Sequence, residues 1–563
     1  MNTQSEFFIK SKRVAEDFLQ TAVVIDDRLF ESGPGIFPKK LPGIIGRKPA
    51  VDKKTTVAKK KQKPDETDFD PHAIVPQDLI NSFAKKRIVC SVYQPKRSNF
   101  STGSGGEFRK LCRNADIVII DWSLFKDDGQ HALDLISGIV EESLEETLEQ
   151  LRLIIAYTGA SNLFAIADKI FVQLSAIADV TPEPEKEDSL AIRFGPSRVI
   201  VLGKKNGRTR LEKYQKNEVS EIELADRAVE EFALMTAGLM SNIALRFLAA
   251  LRSNTRKIIS RFSPDLDVAF LNHRILSLPD ENAESHLLDL ISSEIHAVIE
   301  DCFASDFLTE TDVKQWLDAK ISDYSKINKI FKNFSSSAEA QKDFLQLCLK
   351  GAGIFKDQKK HPFKNLTQSR DGINHRAKLT QALSGTNDYI GNFMLAHNMA
   401  FRTFYTMAPR VLTMGTLLCK NFKDGNNSDI TEYWLVIQPR CDSVRLEEET
   451  RFPMLRCRIV PPDDKNSKRT YIVMDEDRPT SLLINFKPNE IRSTNFKPDS
   501  TKQVVSKHDE ESDAFFFESC DGQVFRWVGE LKFEHAQRVV QKVADELSRV
   551  GLTESEWLRL YGS

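Results

Sequence analysis

The sequence predicts a multidomain chain. An amino-terminal α/β domain on a five-stranded parallel sheet comes first, then a central all-α region, then a mostly antiparallel β domain with terminal helices. Three observations predict this. Solid aliphatic runs in the first 215 residues end in polar residues, as strands buried on both faces do. From Glu218 onward apolar residues recur every three or four positions, as on one face of a helix. After about Val411 the pattern switches to period-two β-branched and aromatic runs separated by turns.

In the α/β part, Glu6 to Leu19 reads as a helix and Ala22-Val23-Val24-Ile25-Asp26-Asp27 as a strand closing on two acids. Residues 31–71 are rich in Gly, Pro and Lys, with Lys59-Lys60-Lys61 at their centre, and read as a solvated, disordered insertion leaving from that strand end. Pro76 to Lys86 fits a helix and Arg87 to Tyr93 a second strand. Ser101 to Gly106 is Gly-rich but lacks the Gly-Lys-Ser/Thr ending of a phosphate-binding loop, so it reads as a turn. Ala115 to Asp121 is a third strand, and Gln130 to Glu142 its following helix. Leu153 to Thr158 and Arg198 to Lys205 are further strands, joined by a helix at Asn162–Ala178 and an acidic, Pro-bearing exposed linker at Asp179–Asp188.

The strand ends carry the chemistry. Asp26, Asp27 and Asp121 offer a hard oxygen cage of the type Mg²⁺ accepts, since that ion takes one or two carboxylates and completes its shell with waters and a phosphate oxygen. Thr158 supplies a hydroxyl, and Lys204 or Lys205 a cation. A carboxylate nucleophile with a divalent metal and a lysine to neutralise phosphoryl oxygens makes an aspartyl-phosphate site.

Residues 20 to about 215 resemble the receiver domain of two-component response regulators, whose fold is flavodoxin-like. Asp26-Asp27 match the family's metal-binding acids and Asp121 its phospho-acceptor; Gly129 falls at the family's glycine position, Thr158 at its switch hydroxyl, and Lys204 or Lys205 at its phosphate-contacting lysine. The resemblance implies Mg²⁺ as cofactor and a histidine kinase or GHKL-type ATPase as partner, with self-association left open. Departures stand at three places. Lys204 is followed by Lys205 and Asn206 instead of Pro, the usual switch aromatic is Val201 or Leu202, and Phe125 replaces a common Pro. The chemistry is expected to outlast the usual Thr–aromatic coupling. A site without phosphate chemistry, serving as a docking module, is the alternative.

The domain boundaries read as 1–217 for the receiver-like part, 218–262 for a helix that either packs in the next domain or connects the two, 263–410 for a helical domain, and 411–563 for the β-rich domain. Met394, His397, Met399, Phe401, Phe404 and Tyr405 form an aromatic and Met stripe that reads as core. Glu534 to Val550 is an amphipathic helix, and Thr553-Glu554-Ser555-Glu556 has the spacing of a second helix start.

Two late motifs bear chemistry. In Gln438-Pro439-Arg440-Cys441-Asp442 a thiol stands beside an arginine, which can lower its pKa; a structural Cys is the simpler reading. Asp521 followed by Glu530-Leu531-Lys532 is similar to the metal-binding pattern of restriction-endonuclease-like nucleases, so a metal-dependent nuclease effector is the second functional reading. The domain order, with strings such as Gln438–Asp442 and Ser548–Leu558, is similar to that of a group of large bacterial proteins, some of them encoded among mobile-element and phage-defence genes beside a GHKL-type ATPase or histidine kinase. That likeness implies an antiviral setting without naming an activity for the carboxyl half.

Composition restrains the rest. With 41% apolar and 28% charged residues and a net charge of −2, nothing draws the whole chain to nucleic acid or an anionic membrane, although nucleic acid stays open as a partner. The first residues lack a basic and apolar leader, and no run approaches a membrane span. The eight cysteines have no paired spacing and read as reduced thiols, which points to the cytoplasm. No catalysis beyond phosphoryl acceptance is expected.

Overall fold

The computed structural model describes residues 5–548 apart from 29–73, 98–99, 101–105, 147–149, 178–179, 186–188, 206–209, 277–282, 304–308, 322–323, 332–333, 359–360, 365, 367–370, 386–389, 424–428, 462–463, 465–468 and 477. The expected insertion, nearly all of the Gly-rich loop and the second carboxyl-terminal helix lie outside the described residues. The chain divides into two compact units. One comprises Met1–Leu276 and Asn282–Ala319, the other Ser277–Glu281 and Lys320–Ser563.

The first unit opens with α1 (Glu6–Phe18), capped by the Ser5 hydroxyl, and β1 (Thr21–Ile25). Then come α2 (Pro76–Lys85), β2 (Val89–Tyr93), α3 (Gly106–Arg113), β3 (Ile117–Asp121), α4 (Gln130–Glu146), β4 (Leu153–Thr158) and α5 (Leu163–Ser175). Next are β5 (Glu183–Pro184), β6 (Ala191–Phe194), β7 (Ser197–Lys204), β8 (Glu218–Val219), α6 (Leu224–Thr236) and α7 (Leu239–Arg261).

Five strands run parallel in the order β2-β1-β3-β4-β7. The expectation of a five-stranded, wholly parallel sheet needs correction, because among the described residues the sheet has eight strands and is mixed. β6 and β5 extend it antiparallel from β7, and β8 adds a short parallel pairing. Part of the acidic linker is therefore strand, since Glu183–Pro184 pairs with β6. The turn-rich stretch before β7 folds back as a hairpin, a contact that hydrophobic periodicity does not reveal.

The aliphatic runs of β1, β3, β4 and β7 are solid because those strands are covered on both faces. In β3, Ile117 and Ile119 enter one core with α1, α2 and α6, while Val118 and Ile120 enter the other with α4 and α5. Strand order reverses direction between β1 and β3, and open α/β sheets place ligands at the carboxyl ends of strands at such a point.

The segment after the sheet is two helices where the sequence reads as one. α6 ends at Thr236, Gly238 is extended (φ −149°), and α7 starts at Leu239. α6 packs its apolar face into the sheet, whereas α7 lies on α1, with Asn242 donating to the Ser11 hydroxyl and Arg252 paired with Asp116. The helical segment expected at 263–410 also divides. Helix Ala283–Phe303 packs on α7, while helix Ile390–Ala400 packs on strand Tyr471–Asp475 of the second unit.

Among its described residues the second unit carries a nine-stranded sheet: β9 (Thr416–Lys423), β10 (Asp429–Val436), β11 (Thr450–Ile459), β12 (Tyr471–Asp475), β13 (Arg478–Ile484), β14 (Ile491–Phe496), β15 (Lys507–Asp509), β16 (Ala514–Glu518) and β17 (Val524–Glu530). All pairings are antiparallel, in the order β12-β13-β11-β10-β9-β17-β16-β15 with β14 on β11. Helix Phe533–Leu547 packs Ala536, Val539 and Val543 onto one face.

A buried ion network clamps β7 to α6 in the first unit. Arg198 is fully enclosed and bonded to Glu231, which also holds Arg227 at 2.5 Å, while Glu185 takes the Arg198 Nε at 2.9 Å. Burial opposes the Arg198 charge, but Glu231 and Glu185 outweigh it and raise its pKa. Removing one partner of a buried pair strands the other, so Glu231→Ala should cost about 3 kcal/mol. A thermal melt of the full chain should show the first unit's transition move down. An unchanged transition would mean the network contributes nothing.

Candidate functional site: a buried acid cage at the sheet edge

The ends of β1 and β3 place Asp26, Asp27 and Asp121 together, each able to offer one carboxylate oxygen with all three oxygens within 4.8 Å. Asp26 and Asp121 are buried, and Asp27 lies at the rim. The pairing of β1 with β3 sets Ile25 beside Ile120, so the residues that follow meet at one edge. Among the described residues this is the one such acidic or metal-ligating group.

Two cations sit in the cage. Lys204, from the end of β7, lies 2.7 Å from Asp121 Oδ1 and 3.0 Å from Asp26 Oδ2, and is almost wholly buried. Arg28 donates to Asp121 Oδ2 at 3.2 Å, and its Nε lies 3.8 Å from Asp27 Oδ1. Burial works against the Lys204 ammonium, yet Asp121 and Asp26 outweigh it and raise its pKa. Arg28 is raised in the same way, burial opposing and the three carboxylates prevailing. For Asp121 burial prevails over Lys204 and Arg28, Asp26 adds to it, and the carboxyl is held above its ordinary value.

Lys205, the alternative lysine, is exposed and lies 3.9 Å from Glu223, away from the cage. Thr158 ends β4, and its hydroxyl oxygen accepts the Ala160 N–H at 3.1 Å. Sequence reasoning missed four participants. Arg28 is one; a cation directly after an acid pair was a usable signal. The Phe125 N–H donates to Asp27 Oδ2 at 2.9 Å, from a loop in which Phe125, Lys126 and Asp128 all have positive φ. Arg210 is buried and donates to the carbonyls of Thr158, Ala160 and Lys204, tying the ends of β4 and β7 together. Tyr157 is enclosed beside Thr158; its hydroxyl donates to the Val219 carbonyl at 2.8 Å, and Lys204 lies 5.5 Å from its ring. Gly129 has φ +95° and the Trp122 ring 2.2 Å from where a Cβ would stand, so only glycine fits.

The residues fit a hard divalent cation. Three carboxylates converge, and the buried Oδ1 atoms of Asp27 and Asp121 have no hydrogen bond of good geometry, although Lys204 lies close to the latter. Oxygen-only donors of this kind suit Mg²⁺.

The late motifs behave differently. Asp521 is exposed on the turn before β17 and bonds Ser519 and Gln523, while Glu530 ends β17. A seven-residue strand lies between them. At about 3.4 Å per residue that separates them by roughly 20 Å. Lys532 donates to the Asn398 carbonyl. The three residues are not brought to one place. Arg440 turns to Glu530, and Asp442 beside the Cys441 thiol pushes that thiol's pKa up, the reverse of an activated nucleophile.

Residues 18–209 match the family model described as a response receiver domain. Comparisons with curated proteins and with solved structures found no match. A receiver domain thus occupies the amino-terminal third of a longer chain. No helix among the described residues is long and apolar enough to cross a membrane.

Calorimetric titration with Mg²⁺ should show binding that Asp27→Asn weakens by about tenfold, the effect of a lost ligand charge. Arg28→Ala should bind Mg²⁺ more tightly, because the guanidinium competes for the same carboxylates. A protonated Asp121 cannot ligate and its pKa is raised, so affinity should climb with pH above the ordinary carboxylate range. Asp121→Asn should flatten that dependence. Tighter binding at lower pH would contradict the arrangement.

Proposed function

We propose that this chain is a response-regulator-like signalling protein that accepts a phosphoryl group on Asp121. The single observation that carries the reading is the convergence of Asp26, Asp27, Asp121 and Lys204 at the carboxyl edge of parallel strands, inside a segment matching the receiver family. The order β2-β1-β3-β4-β7 supports a flavodoxin-like core for it.

In this reading an Asp121 carboxylate oxygen forms the new P–O bond as the donor's bond to phosphorus breaks, and the donor leaving group departs with that bonding pair. Mg²⁺ held by Asp26, Asp27 and Asp121 would supply charge neutralisation at the phosphoryl oxygens. Lys204, already 2.7 Å from Asp121, holds the charge of the product, and Arg28 must leave the position it takes beside Asp121. A phosphoryl donor, whether a histidine kinase or a GHKL-type ATPase, is the partner this chemistry requires.

The output runs through β8 and α6. Tyr157 joins the Lys204 side of the site to the Val219 carbonyl, and Val219 leads within five residues into α6. A charge change at Asp121 would re-set Lys204, the Tyr157 ring beneath it and the β8 tether. This replaces the coupling that Val201 and Leu202, both buried in the sheet, cannot make. The docking-module alternative keeps one supporting observation, the Arg28 side chain bonded to the acceptor carboxylate.

A small-molecule phosphodonor with Mg²⁺ should add one phosphoryl group to the wild type by intact mass and none to Asp121→Asn. Asp27→Asn should slow the addition. Lys204→Ala should accept phosphate yet lose the accompanying change in hydrogen exchange of α6, and Tyr157→Phe should lose part of it. No phosphate on the wild type with any donor, the cage being intact, would leave the docking module standing.

A further inference from the structure

We infer that Arg402, Arg410 and Arg440 of the second unit form a binding site for the phosphate group of a small phosphorylated ligand, separate from the receiver site. The site lies where the end of β17 meets the chain after helix Ile390–Ala400. Glu530 is buried there, and its Oε1 accepts from Arg402 at 3.4 Å and from Arg440 at 3.3 Å. The Arg402 backbone is pinned as well, its N–H donating to the Glu530 carbonyl at 2.8 Å.

Arg410 is the observation that points to a ligand. It is 8% exposed, and its Nε has no hydrogen-bond partner. Its guanidinium carbon lies 4.4 Å from the Phe404 ring centre, 4.4 Å from Phe515 and 5.1 Å from Trp527, and among the described residues no carboxylate pairs with it. Aromatic faces offset a buried guanidinium charge in part, but a buried cation is otherwise paired. Burial and the neighbouring Arg402 charge both press on it, and Glu530 helps only at longer range. Arg402 stacks on the same Phe404 ring at 4.5 Å, and its charge is felt at Arg410.

Two guanidinia thus hold the Glu530 carboxylate, and Arg410 shares the Phe404 ring with one of them. Each guanidinium has five N–H donors, and Glu530 engages one from Arg402 and one from Arg440, both by long bonds. The surplus of donors and charge suits a tetrahedral oxyanion held by several arginines. Arg402 and Arg440 keep about half of their side chains exposed, so the site is open to solvent. Glu530 is then a positioning residue that holds two arginines and competes with the incoming anion. This gives a joint role to Arg440 of the Gln438–Asp442 motif and to Glu530, neither of which serves the receiver.

The test is calorimetry on the full chain carrying Asp121→Asn, in a metal chelator and at low salt, so that the receiver cage does not contribute. Inorganic phosphate and adenosine monophosphate are titrated separately. The inference expects binding that falls at least tenfold in Arg440→Gln and in Arg402→Gln, changes at half-exposed side chains whose folding is checked by circular dichroism. It expects severalfold tighter binding in Glu530→Gln, which an arginine cluster that only braces the fold would not show. Equal affinity for the two probes identifies the phosphate group as the whole ligand. Tighter adenosine monophosphate identifies a nucleotide, its base reaching an exposed ring such as Tyr405, which is 84% exposed. No binding of either probe, or binding unchanged in both arginine variants, overturns the inference.

Discussion

Everything in the first unit is arranged around one costly feature, a pair of buried aspartates sharing one buried lysine. Asp26, Asp121 and Lys204 are each at most 2% exposed, and taking such charges from water costs several kcal/mol apiece. The cost is met only where opposite charges are held at contact distance, and here three different strands must end at the same depth to do so. The parallel register of β1, β3, β4 and β7 is thus a condition of the site as much as of the core. Arg210 and the Phe125 N–H complete that condition by fixing the strand ends and the loop beyond β3.

The same feature explains why the cage is not an open basin of negative charge. With Lys204 and Arg28 in place, two cations face three carboxylates. A divalent ion and a phosphoryl group together bring charge of both signs, so the cage can exchange one balanced arrangement for another. Arg28 is the member that separates the signalling reading from the docking reading, because it is the group that must yield.

Much of this was legible in the chain. Solid aliphatic runs ending in Asp26-Asp27, Asp121, Thr158 and Lys204 give the strands and their polar ends, since only a sheet covered on both faces demands such runs. The choice between Lys204 and Lys205 was not legible, because it depends on the residue at which β7 ends: Lys204 is its last and is enclosed, and Lys205 lies beyond it in solvent. Nor were the β5–β6 hairpin and β8, whose pairings are too short to leave a period in the sequence. The break at Gly238 was hidden because α6 and α7 each keep a helical period across it while facing different partners. In the second unit the period-two runs announced the antiparallel sheet, but Asp521 and Glu530 read as a pair only until β17 set them at its opposite ends.

The central claim is that the cage converts Asp121 into a phosphoryl acceptor whose product Lys204 holds. Fluorine NMR of the full chain with Mg²⁺ and beryllium fluoride, a stable mimic of an acyl phosphate, tests it most directly. The account predicts protein-bound fluorine signals in the wild type that require Mg²⁺ and vanish in Asp121→Asn. A wild type that shows only free fluoroberyllate at saturating Mg²⁺ would contradict it.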